Sequence, residues 1–388
     1  MQTIVSLDIG TSVIKCVLFD KKFKQLKIFS EKNIVKYNNL GHSEVSMTKL
    51  WSICKILLIE TIKYSKKNNY NILCIGLTAN MVGLYPIDPN GNPVRNGILW
   101  NDSRTSELMN KMKSENIRIY EEIFSISGSV MQLGCTIPLA KWYYEYEKPL
   151  FKKTKWILNC KDWIRYKLTN TISNDFTEIV VSPGDAKKIN RSNKIFKLFK
   201  LNNEIIKKLP KCQKSDSIAG YTSTKINRIL GLDKSIPVSI GAGDVPSSVI
   251  GLGVNNANTA ATIFGTTIHN CFVSKHPIFY PKNIGLLFYS PNSLWLKTMI
   301  NVAGTINIDW VVKNFFNISN NDNLDKNILK IENYILKNNI SSNGLFFLPY
   351  LNYGGVIAPF HNENASGVIY GLNHDHDKYN IFKSVYEG

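Results

Sequence analysis

Residues Thr3–Asp20 have the sequence TIVSLDIGTSVIKCVLFD, and this stretch decides the fold. TIVSL is apolar and β-branched, DIGTS interrupts the pattern, and VIKCVLF resumes it, which is typical of two strands joined by a polar glycine turn. A P-loop or a Rossmann unit would pass from its glycines into a helix, and no helical period follows Gly10. The stretch therefore predicts a β-hairpin and excludes both of those nucleotide-binding units.

The same unit returns later in the chain. TAATIF (259–264) is a second apolar strand pattern, Gly265-Thr266-Thr267 is a turn, and IHNCFV (268–273) is another strand pattern. Between the two copies, strand and helix patterns alternate to about residue 240, starting with an amphipathic helix from Ser46 and a buried strand at 72–78. The repeat predicts an α/β protein with two similar domains around a cleft, each presenting a Gly-Thr hairpin to it.

The composition is that of a folded globular protein. The 388 residues are 44% hydrophobic and 20% charged, which suffices for two domains with their own cores. No apolar run reaches the roughly 18 residues of a membrane span, and Asp8 interrupts the position where a signal peptide would be apolar. Seven scattered cysteines without a C-x-x-C pair predict reduced, mostly buried thiols. We expect a cytoplasmic protein with no membrane partner.

Half of the net charge of +18 comes from one segment. Residues 185–234 contain 13 Lys and Arg against 4 Asp and Glu, and the lysines alternate with Ile, Leu and Phe at helical spacing. No helix-turn-helix, zinc-finger or RNP signature accompanies them. The charge supports non-specific attraction to nucleic acid and no specific nucleic-acid partner, although a basic interaction protein acting through this face stays an alternative.

Both hairpin tips carry groups suited to phosphate. A glycine followed by hydroxyl residues brings backbone N–H groups and hydroxyls close to phosphate oxygens, because no Cβ blocks the approach. Asp8, at the end of the first strand, is placed to hold a magnesium ion through water. The alternative for each hairpin is an ordinary turn. The candidate residues are Gly10, Thr11, Ser12, Gly265, Thr266, Thr267 and, for the metal, Asp8.

A third carboxylate, Asp244, lies in GAGDVPSS, where small neighbours leave room for a ligand and a helix pattern begins. It is a candidate to accept the proton of a substrate hydroxyl that attacks a phosphoryl group. The alternative is a helix N-cap.

Three further clusters have both a functional and a structural interpretation. WNDSR (100–104) could grip a polyol through Asp102 and Arg104, or form a strand-to-helix cap with Arg104 on the surface. Lys161 and Asp162 either line the predicted cleft or form a surface pair at a helix start. The HDHD tract at 374–377 has metal-ligand residue types, but alternate residues of a strand point apart and the sequence offers no third and fourth ligand for it.

The motifs in order resemble the FGGY family of carbohydrate kinases, and its xylulokinase-like members most closely. The segments that carry the resemblance run from Ile4 to Gly388 and are DIGTSVIKCVLFD, GLTANMVGLYPIDPNGNPVRNGILWNDSR, NCKDWIRYKLTN, GAGDVPSSVIGLGV, IFGTT, VAGTINIDW, GLFFLPYLNYGGVIAPF and ASGVIYGL. The resemblance implies two RNase H-like domains of the actin and hexokinase type. It also implies phosphorylation of a sugar hydroxyl with ATP and magnesium as cofactors.

The resemblance also assigns roles, position by position. Asp244 corresponds to the general base, which also contacts substrate, and Asp8 to the magnesium-associated aspartate. The two Gly-Thr hairpins correspond to the phosphate-handling loops, and Gly304 lies in a stretch near the nucleotide. The HDHD tract corresponds to the loop and cap before the last helix. The residues on the sugar side are Met81, Val82, Trp100, Asp102 and Arg104.

Two departures from the family pattern matter. Xylulokinase-like sequences usually carry a His where this chain has Val82, which argues against xylulose itself as the substrate. The alternatives are another ketose, a keto-acid sugar, an alditol and the linear quorum-sensing autoinducer. The family also continues past position 388 with a glycine-rich adenosine segment. We therefore expect a sugar-side domain at 1–245 and an incomplete nucleotide-side domain at 246–388. A non-catalytic, sugar-binding or degenerate relative is the alternative to an active kinase, and a homodimer stays open.

Overall fold

A computed structural model of the chain describes residues 1–388 except 266, 302, 317, 319–322, 352–355, 357, 359, 361, 363 and 364. The chain divides into two compact units. The first consists of Met1–Ala257, Val273–Asn283 and Leu287–Leu296, and the second of Asn258–Phe272, Ile284–Leu286 and Lys297–Gly388. The predicted domain boundary between residues 245 and 246 stays a prediction.

Strands and helices alternate along both units, and the α/β class is confirmed. The strands in the described part of the chain are β1 (Gln2–Ile9), β2 (Val13–Asp20), β3 (Gln25–Lys32), β4 (Val35–Tyr37), β5 (Ser43–Val45), β6 (Asn71–Ala79), β7 (Tyr85–Ile87), β8 (Gly97–Ile98), β9 (Trp156–Leu158), β10 (Asn174–Asp175), β11 (Cys212–Gln213), β12 (Ile218–Tyr221), β13 (Pro237–Ser239), β14 (Ala242–Gly243), β15 (Thr259–Phe264), β16 (Ile268–Ser274), β17 (Leu286–Tyr289), β18 (Trp295–Asn301), β19 (Phe346–Leu348) and β20 (Val368–Tyr370).

The helices in the same residues are α1 (Met47–Lys67), α2 (Ser106–Glu115), α3 (Ile119–Ser127), α4 (Thr136–Tyr146), α5 (Lys148–Lys153), α6 (Cys160–Thr169), α7 (Phe176–Val181), α8 (Asn193–Leu198), α9 (Asn203–Ile206), α10 (Thr224–Leu230), α11 (Asp244–Gly251), α12 (Ile306–Phe315), α13 (Leu324–Lys337) and α14 (Lys378–Glu387). None of these helices is long and apolar enough to cross a bilayer.

The first unit is built on a mixed sheet in the order β12-β13-β6-β1-β2-β3, with β14 added beside β6. β1 and β2 form the predicted antiparallel hairpin, in which Thr3 lies opposite Asp20 and Ile9 opposite Ile14. β1 also pairs in parallel with β6, and β6 in parallel with β14. Three parallel strands therefore end at one edge of this sheet.

Helix α1 covers this sheet and confirms the amphipathic helix predicted from residue 46. Ser46 is the N-cap, and its hydroxyl accepts the backbone N–H of Lys49 at 3.4 Å. The buried side chains at three- and four-residue spacing pack into the core of the sheet, and burying each aliphatic side chain contributes about 1.5–3 kcal/mol. They are Leu50, Cys54, Leu57, Leu58 and Ile62.

Two smaller expectations can be checked in the same unit. The lysine-rich segment 185–234 forms three short helices, α8, α9 and α10, so its lysines are spread over separate helical turns. The seven cysteines are all free, and five of them are buried, as expected for reduced thiols.

The second unit starts with β15 and β16, the strands predicted on either side of the second Gly-Thr turn. They are neighbours in a four-stranded sheet of order β15-β16-β18-β17. A separate apolar cluster joins α12, α13, α14 and the two-stranded β19-β20 sheet. Its buried members include Val311, Ile331, Phe347 and Phe382.

Candidate functional site

Asp8 and Asp244 lie at the carboxyl ends of β1 and β14, two strands that pair in parallel with β6 in the first unit. Asp8 of β1 is beside Thr78 of β6, and Ala242 of β14 is beside the same Thr78. Asp244 directly follows β14. The Thr78 hydroxyl also donates to Ser247 Oγ in α11, at 3.2 Å. Residues that follow neighbouring parallel strands are brought together at one edge, and ligands of open α/β sheets bind at such edges.

Asp244 is the first residue of α11, and Gly243 occupies the N-cap position. The Asp244 Oδ1 atom accepts the backbone N–H of Val245 at 2.9 Å. The alternative interpretation, in which Asp244 is the helix N-cap, is therefore wrong. Its carboxylate lies at the positive end of the helix dipole, where negative charge is favoured.

The two carboxyl groups have raised pKa values. Burial raises the pKa of Asp244 to about 7, and the negative charge of Asp8 adds to the rise. Burial also raises the pKa of Asp8, although Lys15 opposes the effect. No salt bridge to Asp8 or Asp244 occurs among the described residues. A carboxyl group with a pKa near neutrality is suited to taking up and returning a proton at physiological pH.

The turn between β1 and β2 lies beside Asp8 and is stabilised by its own backbone. The Gly10 N–H donates to the Val13 carbonyl at 3.1 Å, and a Cβ on Gly10 would lie 2.6 Å from that oxygen. The predicted sugar-side residue Trp100 reaches this turn, because its indole N–H donates to Thr11 Oγ1 at 3.0 Å. Ser12 is exposed. The structure therefore brings the Gly-Thr-Ser turn and Trp100 together.

Met81 and Val82, the other predicted sugar-side residues, lie in a short connection after β6. Val82 has φ +54°, an uncommon conformation for a β-branched residue. Its backbone N–H donates to Glu178 Oε2 at 2.7 Å, and its carbonyl accepts Asn159 Nδ2 at 2.9 Å. Met81 packs against Gly243, where a Cβ would lie 2.4 Å from the Met81 sulfur. The connection that carries Met81 and Val82 is thus adjacent to Asp244.

Asp102 and Arg104 form a buried network. Arg104 Nε donates to Asp102 Oδ1 at 2.8 Å, and its Nη2 donates to Glu44 Oε1 at 2.8 Å. The Asp102 Oδ2 atom accepts the Ser43 N–H at 2.6 Å. Thr105 is the N-cap of α2, and Arg104 is 8% exposed, so the surface-cap alternative is wrong. The contact of both residues with substrate stays a prediction.

Lys161 and Asp162 belong to a fully buried ion cluster at the start of α6. The Lys161 ammonium lies 3.0 Å from Asp162 and 2.6 Å from Asp175, and Arg165 lies 2.8 Å from Asp162. All four side chains are 0% exposed, so the surface-pair alternative is wrong. Burial raises the pKa of Asp162, but Lys161 and Arg165 outweigh it and hold the pKa below its usual range. We call these four residues the buried ion cluster; its two cations and two anions compensate one another inside the fold.

The second hairpin lies in the second unit with Gly304. The Gly265 N–H donates to the Thr267 carbonyl at 3.1 Å, and the Gly265 carbonyl accepts the Thr305 N–H at 2.9 Å. A Cβ on Gly304 would lie 2.5 Å from the Gly265 oxygen, so Gly304 requires the absence of a side chain. Thr266 lies outside the described residues. The structure thus brings Gly265, Thr267 and Gly304 together within this unit.

The HDHD tract forms a loop and a helix cap, as expected. Asp377 is the N-cap of α14, and its carboxylate accepts the backbone N–H groups of Tyr379 and Asn380. His376 contacts the Asn343 carbonyl through Nε2 at 2.9 Å. In the part of the chain that the structure describes, no group of three or more His, Cys, Asp or Glu side chains could hold a metal ion.

Four polar residues that contact these segments were not predicted from the sequence. Thr177 accepts the Gly243 N–H, Glu178 and Asn159 hold Val82, and His269 Nε2 contacts Thr267 Oγ1 at 3.0 Å. Burial lowers the pKa of His269 to about 4, so its ring is neutral at pH 7. Only His269 could have been found from the sequence, because it lies two residues from the second Gly-Thr turn. Thr177, Glu178 and Asn159 contact residues that are far away in the sequence.

The chain is similar in sequence to known carbohydrate kinases. Residues 3–251 match the FGGY family of carbohydrate kinases, N-terminal domain. The chain is 25% identical to the xylulose kinase of Staphylococcus epidermidis, over 100% of this chain and 75% of the relative. It is 26% identical to the probable L-xylulose kinase of Haemophilus influenzae, over 100% of this chain and 77% of the relative.

Solved structures show the same fold. The ligand-bound xylulose kinase of Lactobacillus acidophilus superposes with a TM-score of 0.86 at 21% identity, covering 100% of this chain and 76% of that one. The predicted fold class is therefore confirmed as that of the sugar kinases. Because the family match covers well over half of the 388 residues, the chain belongs to the FGGY family of carbohydrate kinases.

Proposed function

We propose that this carbohydrate kinase transfers the terminal phosphoryl group of ATP to a hydroxyl of a small sugar or polyol, with Asp244 as the general base. One observation carries the proposal. Asp244 lies at the N-terminus of α11, at the sheet edge shared with Asp8, with a pKa raised to about 7 by burial. General-base catalysis is most efficient when the pKa of the base lies near the working pH.

Asp244 would act on the substrate hydroxyl. Its carboxylate accepts the hydroxyl proton as that oxygen forms a bond to the phosphorus, while the bond from phosphorus to the leaving oxygen of ADP breaks. Because no cation is paired with Asp244 in the described residues, its charge is available for this proton. Both its raised pKa and its place at the helix N-terminus follow from the fold.

Magnesium is compatible with the carboxylates at this edge. Mg²⁺ is commonly bound by one or two protein carboxylates together with waters and substrate phosphates, and Asp8 and Asp244 supply that donor set. We assign Asp8 as the residue that would hold the ion. When bound, the ion neutralises negative charge on the phosphate groups.

We assign phosphate contacts to the two hairpin turns. Gly10, Thr11 and Ser12 follow the end of β1, with one residue between Asp8 and Gly10, which suits their backbone and hydroxyl groups to phosphate oxygens close to the same edge. In the second unit, Gly265, Thr266 and Thr267 are the corresponding assignment, and Gly304 is assigned to the nucleotide. The tight approach of Gly304 to Gly265 supports a turn whose shape depends on glycine.

We assign the sugar to Met81, Val82, Trp100, Asp102 and Arg104. Met81 and Trp100 support this best, because Met81 contacts Gly243 and Trp100 contacts Thr11. We assign the substrate as a ketose such as xylulose or a related sugar or polyol. Because the side chain of Val82 forms no hydrogen bond, the hydroxyls of this substrate would be bound by other residues of the site. The two xylulose kinase relatives favour the ketose.

The test is sugar-dependent ADP release by the purified protein with magnesium and ATP, over a panel of ketoses, aldoses and alditols. We expect one ketose to be turned over best. Asp244→Asn should reduce kcat by about 10²- to 10⁴-fold, because the amide cannot take up the proton.

Asp216→Asn is the matched control, since Asp216 is an exposed carboxylate outside the site, and it should leave kcat unchanged. Wild-type protein that is folded, binds a sugar by calorimetry and releases no ADP with any member of the panel would exclude the kinase. The non-catalytic sugar-binding relative would then be the better description. Equal kcat for wild type and Asp244→Asn would exclude Asp244 as the base.

A further inference from the structure

The first turn of α7 carries two buried residues that bond to two different segments of the candidate site. Thr177 and Glu178 are adjacent, and both are 0% exposed. The Gly243 N–H donates to Thr177 Oγ1 at 2.9 Å, and the Val82 N–H donates to Glu178 Oε2 at 2.7 Å. One helical turn therefore holds both the residue before Asp244 and the residue after Met81.

Thr177 is itself fixed by hydrogen bonds to the buried Asp175. Its hydroxyl donates to Asp175 Oδ1, and Asp175 Oδ2 lies 2.6 Å from the Lys161 ammonium. The Asp175 Oδ1 atom also accepts the Thr177 N–H and the Ser215 hydroxyl. Because these partners are buried, the Thr177 oxygen has one orientation available, with its lone pair toward the Gly243 N–H. The buried ion cluster thus fixes the backbone position from which Asp244 extends.

Glu178 is in an unusual position for a structural residue. It is the third residue of α7, after the N-cap Asp175, and a glutamate there commonly bonds back to the N-cap. Its carboxylate instead extends to Val82. Among the described residues its Oε1 atom has no hydrogen-bond partner although it is buried. A buried polar atom without a hydrogen-bond partner destabilises a fold, so the unsatisfied oxygen of Glu178 needs an explanation other than stability.

Val82 is the point at which that bond acts. A β-branched residue at φ +54° is strained, and it keeps this conformation only where the surroundings determine it. Glu178 binds the N–H and Asn159 the carbonyl of Val82, so the strained residue is held on both sides. This conformation places Met81 against Gly243, next to Asp244.

We propose that Thr177 and Glu178 are positioning residues for sugar phosphorylation, Thr177 orienting Asp244 through Gly243 and Glu178 orienting the Met81–Val82 connection toward the sugar. The inference rests on the proposed function, since it assigns these segments to base and substrate. Neither side chain touches the reacting atoms. The two residues should therefore affect different kinetic constants.

The test compares variants at each position with conservative partners. Glu178→Leu removes the acceptor for Val82 and should raise the KM for the sugar about 10-fold with little change in kcat, whereas Glu178→Gln retains an acceptor oxygen and should behave like wild type. Thr177→Val removes the hydroxyl and should lower kcat about 10-fold with little change in KM, whereas Thr177→Ser should restore it.

Val82→Gly distinguishes positioning from general destabilisation. Glycine adopts φ +54° without strain. Adding Val82→Gly to Glu178→Leu should therefore lower the raised KM most of the way back to the wild-type value, although it restores no hydrogen bond. The proposal would be overturned if every variant changed kcat and KM to the same extent, or if Val82→Gly did not lower the KM of Glu178→Leu. Should Glu178→Leu not fold, Glu178→Asp shortens the side chain by one methylene and serves the same comparison.

Amide hydrogen exchange separates this inference from the proposed function. Glu178→Leu should increase exchange at Val82, and Thr177→Val should increase it at Gly243, whether or not the protein turns over a sugar. Unchanged exchange at both amides would overturn the positioning roles. If the folded wild type binds sugar without turnover, the kinase proposal fails, and equal sugar affinity of wild type and Glu178→Leu by calorimetry would then overturn the role of Glu178.

Discussion

Asp244 with Asp8, and Asp162 with Asp175, are two pairs of carboxylates within the first unit, and their surroundings differ. Asp162 and Asp175 contact Lys161, and Asp162 also contacts Arg165, so the cluster contains as many cations as anions. Asp8 and Asp244 have no salt bridge among the described residues, and the pKa values of both are raised. Removing one partner of a compensated pair leaves a buried charge without a counter-charge, whereas an uncompensated carboxylate is available to a ligand or a proton.

The largest effect should come from making the same substitution in both pairs. Asp162→Asn leaves Lys161 and Arg165 undercompensated in the interior, so the free energy of unfolding should fall by about 3–5 kcal/mol. Asp244→Asn removes an uncompensated charge and should leave the stability equal or higher. Urea unfolding of the two variants measures the difference. Similar loss of stability in both would remove the distinction between the two pairs.

The pH dependence of stability should sharpen the comparison. Because the folded pKa of Asp244 is about 7 and lies above its unfolded value, the carboxyl stabilises the folded state at low pH, and this contribution is lost as pH rises toward 7. In metal-free buffer, the Tm advantage of Asp244→Asn over wild type should therefore grow from pH 4 to about pH 7 and then stay constant. Calorimetry at each pH measures it, and a pH-independent difference would contradict the raised pKa.

The smallest effect should come from an exposed ion pair. Lys66 and Asp233 lie 2.6 Å apart, with side chains that are 48% and 84% exposed. Asp233→Asn should change the free energy of unfolding by less than about 1 kcal/mol, because solvent screens such pairs. The variant is measured beside Asp162→Asn in the same urea titration. If Asp233→Asn lowered the free energy of unfolding as much as Asp162→Asn does, burial would not explain why the ion cluster matters more for stability than the exposed pair.

Local pattern sufficed for much of the fold. The β1-β2 hairpin, helix α1, strand β6 and the strands around Gly265 were predicted because each depends on neighbouring residues. Asp244 was found at a helix start for the same reason. The spacing of small residues around it is visible in the sequence itself.

The supporting residues could not be predicted, because their partners are distant in sequence. Glu178 bonds to Val82 across 96 positions, and Gly243 to Thr177 across 66. In the sequence, Asp175 and Glu178 have the spacing of an ordinary capping box, which conceals the actual partner of Glu178. The burial of Lys161 and Asp162 was equally hidden, since a charged pair at a helix start is usually exposed.

The contact between Gly243 and Met81 also has an evolutionary consequence. A Cβ at position 243 would lie within 2.5 Å of three Met81 side-chain atoms, so alanine at 243 requires either that the Met81 side chain moves or that a smaller residue stands at 81. The two positions should therefore have changed together during divergence of the family, although they are 162 positions apart in the sequence. Paired substitutions at 81 and 243 would trace how relatives adjusted the wall beside the base while preserving its backbone.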